Sequence, residues 1–103
     1  ADIINEVAWT LTVSQYDGLR DERYALAIMT AMMESNPTAR QNPAFIDTWA
    51  AAHAASGEFE RAIALQTESL AAARESEDEE VIAELERHLA LFNAGDVVID
   101  PIP

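Results

Sequence analysis

Residues 42–74 read NPAFIDTWAAAHAASGEFERAIALQTESLAAAR, two amphipathic helical patterns joined by one glycine-containing turn. Asn42 followed by Pro43 marks a helix start, because an Asn side chain accepts from the first free amides and Pro gives up an N–H that has no intrahelical partner there. From that point Phe45, Ile46, Trp49, Ala50 and His53 fall on one side of a helix running to about residue 56. Ala51, Ala52, Ala54 and Ala55 fill the rest with side chains small enough for neighbouring helices to come close. Gly57 suits the left-handed position that ends a helix. A second helix begins near Glu58, where an acidic start complements the helix dipole. It runs to about residue 75 with Phe59, Ala62, Ile63, Gln66, Leu70 and Ala73 inward. The stretch is a helical hairpin.

Similar patterns lie on both sides of it. Over 3–16 the apolar positions Ile4, Val7, Ala8 and Leu11 recur at helical spacing while Trp9, Val13 and Tyr16 form a second stripe, so a helix with two buried sides is expected. Asp17-Gly18 supplies a turn. A second helix is expected over 19–35, with Ala25, Ile28, Met29 and Met32 as its stripe, Leu26 and Met33 beside it, and the three Met read as core filling. Asn36-Pro37 ends it, and 38–41 is a short polar connection. After the hairpin, Ser76 and Glu79 have capping-box spacing. A fifth helix over about 78–93 turns Val81, Ile82, Leu85, Leu89 and Phe92 inward, and Gly95 stops it. The tail 96–103, DVVIDPIP, is apolar but broken by proline, and is expected to lie extended over the last helix or to be disordered.

Composition agrees with an all-α chain of one domain. Of 103 residues 50% are hydrophobic, much of that Ala, and there are only 3 Gly and 4 Pro. The 19 acidic residues face 6 basic ones, all Arg, for a net charge of -13. Nucleic acid and anionic membranes are therefore disfavoured, since both call for clustered cations. The acidity reads first as a solvated or salt-adapted surface, with a basic partner as the sharper alternative. Absence of Cys removes thiolate chemistry and Cys-type zinc sites. No apolar run reaches the ~18 residues of a membrane helix. A start at Ala1 rather than Met reads as a processed protein or a segment of a longer one.

A period near 34 residues in helix pairs joined by tight turns is a solenoid pattern, and 42–74 resembles a tetratricopeptide repeat. Trp49 stands at the large apolar position, Ala50 at the small one, His53 in the aromatic slot, Gly57 in the turn and Phe59 at the opening of the second helix. Ala62 stands where the helices cross, and Ser69-Leu70 occupies the later small-large pair. His53 and Ser69 replace a commoner Tyr and Ala, and no Pro follows Arg74 closely. A weaker copy, Asn5-Glu6-Val7-Ala8-Trp9 with Leu19-Arg20-Asp21 and Ala25-Leu26, is similar to the degenerate repeats near the end of bacterial tetratricopeptide arrays.

The resemblance implies antiparallel hairpins in a short right-handed superhelical stack over 1–95. Repeat one covers about 3–36 with a lengthened turn, repeat two about 42–75, and a capping helix about 78–93 closes the stack, with Ile82, Leu85 and Leu89 matching a repeat's first helix. It also implies a concave groove lined by the first helices. Carried onto this chain, the groove residues are Asn5, Trp9 and Thr12, then Asp47, Ala51 and Ala54, then Ala83, Arg87 and Ala90. Arg87 is the only cation among them, and the absence of Lys disfavours a carboxylate clamp.

No nucleophile sits in a catalytic motif, and there is no glycine-rich phosphate loop. The acidic run 75–80 lacks the alternating ligands and central Gly of a calcium loop. Glu84 and His88, four apart, read as an ordinary surface pair rather than as metal ligands. The expectation is a non-catalytic interaction module without cofactor. It binds a protein or peptide, a basic one among the candidates. The alternative is a terminal cap of a longer array, or a unit that associates with itself or with the rest of a longer chain.

Overall fold

The computed structural model describes residues 2–14 and 21–99. They form five helices, α1 (Asp2–Val13), α2 (Glu22–Ser35), α3 (Pro43–Ala55), α4 (Phe59–Ser76) and α5 (Glu79–Asn93), with a 3-10 turn Ala39–Gln41 before α3. No strand occurs among the described residues. Consecutive helices pack on one another, and α3 touches all four of the others.

Local chemistry sets the boundaries. Asn42 Oδ1 accepts from the Ala44 amide at 2.9 Å with Pro43 next, so α3 starts as its sequence requires. α3 ends in a Schellman turn: the Glu58 amide donates to His53 O and the Gly57 amide to Ala54 O, both at 2.9 Å, with Gly57 at φ +86°. The same pair of bonds closes α5, from Asp96 to Leu91 O and from Gly95 to Phe92 O, with Gly95 at φ +75°.

Three expectations move. α2 begins at Glu22 rather than residue 19, because Asp21 caps it by accepting from the Tyr24 amide at 3.1 Å. The Asp21 amide in turn donates to Leu11 O at 2.8 Å and ties that start back to α1. α1 ends at Val13, and Tyr16 and the Asp17-Gly18 turn lie outside the described residues. Ser76 is not the cap of α5. It closes α4, its Oγ donating to Ala73 O at 2.7 Å, and the chain reverses through Glu77 in the left-handed region at φ +59°. Asp78 then caps α5 by accepting from Val81 N at 3.2 Å.

The main core gathers Ala8 and Val13 of α1, the three Met of α2, most of α3, Ala62 and Leu65 of α4, Phe92 of α5 and Val98 of the tail. The Met side chains thus fill core space, and the tail lies against the core as far as Val98; residues 100–103 are outside the described range. A smaller cluster of Leu70, Ala73 and Leu85 joins α4 to α5. α1 does not bury both stripes. Ile4 and Val7 remain 39% and 44% exposed, because α1 packs mainly on α2 and α3 and nothing among the described residues covers its outer side.

Candidate functional site

Between the two apolar clusters, α3, α4 and α5 meet through buried polar side chains. Asp47 of α3 is 8% exposed, and its Oδ1 accepts from Gln66 Nε2 of α4 at 2.8 Å and lies 2.8 Å from His88 Nδ1 of α5. Gln66 Nε2 also donates to Leu85 O at 3.1 Å. Both partners of that nitrogen are acceptors, which fixes the orientation of the amide. A carboxylate can only accept, so the proton of this contact sits on His88 Nδ1. Nearby, Ser69 Oγ donates to Pro43 O at 2.7 Å and fastens α4 to the start of α3.

His88 is 1% exposed, with the Trp9 ring of α1 against it at a centroid distance of 5.5 Å. It is therefore no surface residue. Glu84 is only a distant neighbour of its Nε2, at 3.9 Å. The inward register Leu85, His88, Leu89, Phe92 carried the signal, since His88 sits on the face that the apolar residues define.

Above this network α1, α3 and α5 leave an open cavity of about 280 Å³. Asp47 is at its lining, together with Asn5, Glu6, Trp9, Thr48, Glu84 and the apolar Ala44, Val81 and Leu85. Of the residues expected in a groove, Asn5, Trp9 and Asp47 come together here. Thr12 of α1 and Ala51 and Ala54 of α3 do not, being buried; the small side chains of α3 serve close packing against the neighbouring helices. Arg87, Ala83 and Ala90 are exposed on α5 outside the lining, and Arg87 lies 3.8 Å from Glu84. Glu6, Thr48 and Glu84 were not expected in the groove; they flank expected positions by one helical step.

The far part of α3 carries a second polar group. Trp49 Nε1 donates to Thr30 Oγ1 at 3.0 Å, and the guanidinium groups of Arg40 and Arg61 lie 4.9 and 5.7 Å from its ring centroid. Arg40 makes two hydrogen bonds to Glu68. His53 stands 5.8 Å from Trp49 and 3.4 Å from Glu58, without a hydrogen bond to either ring nitrogen. Burial holds its pKa below the ordinary value, a push that Glu58 offsets only in part and Arg61 reinforces.

Among the described residues no group of three or more His, Asp or Glu is placed to hold a metal ion, and no helix is long and apolar enough to cross a membrane. Comparison with protein-family models, with curated proteins and with solved structures gives no match for this chain.

Proposed function

We propose that this chain is a non-catalytic, tetratricopeptide-like interaction module that holds an extended peptide or a helix in the cavity between α1, α3 and α5. One observation carries the reading. The open cavity is lined by α1, α3 and α5, which are the first helices of the two hairpins and the closing helix, and it presents Trp9 beside polar side chains. An aromatic wall with a few placed polar groups is the usual composition of a recognition surface. Ala62, fully buried on α4, and the Gly57 turn support the repeat pattern. Trp9→Ala is expected to abolish binding of peptides selected on the wild-type chain while leaving its helical circular dichroism intact. Unchanged affinity in that variant overturns the reading.

A second reading, self-association or stacking on further helices, is favoured by the outer side of α1. Ile3, Ile4 and Val7 are 77%, 39% and 44% exposed; Ile4 lines a depression with Ile28, Ala31 and Met32 of α2, and Val7 lines a second one with Leu11. Sedimentation at rising concentration tests it, with Val7→Asp expected to abolish any dimer. A monomer at all concentrations removes the self-associating form.

A further inference from the structure

We propose that His53 is a proton-operated plug on the Trp49 ring. Uncharged, its imidazole packs beside the indole near the end of α3; when it takes a proton it turns out into solvent and uncovers Trp49, while the helices on both sides of the turn stay in place.

The side chain is held by packing rather than by bonds. The His53 ring lies 5.8 Å from the Trp49 ring, one helical turn away, with the two planes tilted by 48°. The side chain is 12% exposed, and both ring nitrogens are buried without a hydrogen bond. A neutral imidazole leaves one donor and one acceptor unsatisfied there, whereas an imidazolium leaves two donors that share a positive charge. Burying that charge costs far more than burying the neutral ring.

Two charged groups act on the ring among the described residues, Glu58 at the N-cap of α4 and Arg61 in its first turn. Glu58 Oε1 is 3.4 Å from Nδ1, but its side chain is half exposed, and Nε2 has no acceptor. Arg61 repels the charged ring. Burial and Arg61 together therefore place the switch below the ordinary histidine range, with Glu58 opposing them in part.

The way out is short. His53 is in the last turn of α3, two residues from its end, so the ring can reach water by rotating its own side chain and no helix has to unwind. Outside, the cation meets the carbonyl end of α3, where a positive charge is favoured. Trp49 does not follow, because its indole N–H is held by Thr30 Oγ1 at 3.0 Å and its ring belongs to the main core. Departure of His53 thus bares an aromatic ring that Arg40 and Arg61 already approach.

The test is a pH titration of the whole chain by proton NMR, with His53→Gln used to tell the His53 ring signals from those of His88. Cross-relaxation between the His53 and Trp49 rings is expected to fade with the same midpoint as the His53 ring shifts, while the Trp49 indole N–H signal and the helical circular dichroism persist. Glu58→Gln should lower that midpoint and Arg61→Gln raise it, each by about half a pH unit, the scale of a partly exposed charge contact. Both residues are exposed, so the fold should survive either change. Undiminished cross-relaxation once the ring is charged would mean that Glu58 holds the imidazolium in place, and it overturns the plug. So does loss of the helical signal at the same midpoint, or a midpoint that neither variant moves.

Discussion

Asp47 is the residue on which most depends, because its Oδ1 meets two buried donors from two other helices. Removing it leaves His88 Nδ1 and Gln66 Nε2 short of a partner inside the protein. Asp47→Ala should therefore cost about 2–4 kcal/mol in denaturant unfolding, whereas the double variant Asp47→Leu/His88→Leu should cost clearly less than the sum of its single changes. Additive losses would show that the two side chains do not act together. His53 gives a prediction in pH. In the unfolded chain it takes its proton near 6.5, while in the fold burial holds the pKa lower. Between those two values the unfolded state binds more protons, so this group's contribution is complete above about pH 6.5 and declines as pH falls toward the folded value. His53→Gln should flatten the stability profile over that window, and an unchanged slope would contradict the assignment. Individual residues were the hardest to place from sequence. Gln66 falls in the apolar stripe of α4 and can be read as inward, but the partner of a buried amide lies on another helix, 19 residues away in the case of Asp47. His88 looks like half of an i, i+4 surface pair until tertiary packing puts Asp47 closer to it than Glu84.

At the scale of elements, boundaries followed local rules where one residue had one clear task. Asn42, Pro43, Gly57 and Gly95 do what their side chains, or lack of them, dictate. The junction of α4 and α5 did not follow from local rules, because Ser76 and Asp78 are both competent caps. The left-handed Glu77 between them settles the competition in favour of Asp78. This gives a paired prediction. Gly57→Ala meets no atom within 4 Å of the new Cβ but is strained at φ +86°, and should cost about 1 kcal/mol. Glu77→Gly should gain a comparable amount, about 0.5–1 kcal/mol, by relieving a side chain from the left-handed region. Urea unfolding of both variants measures the pair, and a loss on Glu77→Gly would mean that the turn is held by the Glu side chain. The outer stripe of α1 shows the opposite limit. Periodicity marks Ile4 and Val7 as apolar neighbours, but it does not say whether a partner covers them.

Over the whole molecule, the all-helical class and the central place of the 42–74 hairpin were legible from spacing and composition. Which helices surround which was not. Among the described residues α3 touches every other helix, and that is why Ala50, Ala51, Ala52 and Ala54 are packed inside rather than lining a groove. The cavity is consequently more acidic than an alanine-lined wall would be, with Glu6, Asp47 and Glu84 at its lining. Surface charge has its own consequence. With 19 acids against 6 Arg, self-repulsion weakens the compact state, so raising ionic strength from low to moderate should raise the melting temperature. A flat response would mean that repulsion is as strong in the unfolded chain.

The protein's two Trp provide a built-in comparison for occupancy of the cavity. Trp9 lines it, and Trp49 is buried in the core with its indole N–H bonded to Thr30. In a nitrogen–proton correlation spectrum, titration with a selected peptide should move the Trp9 indole resonance in proportion to occupancy and leave that of Trp49 in place. Movement of Trp49 alone, or of neither at saturating peptide, would contradict the account.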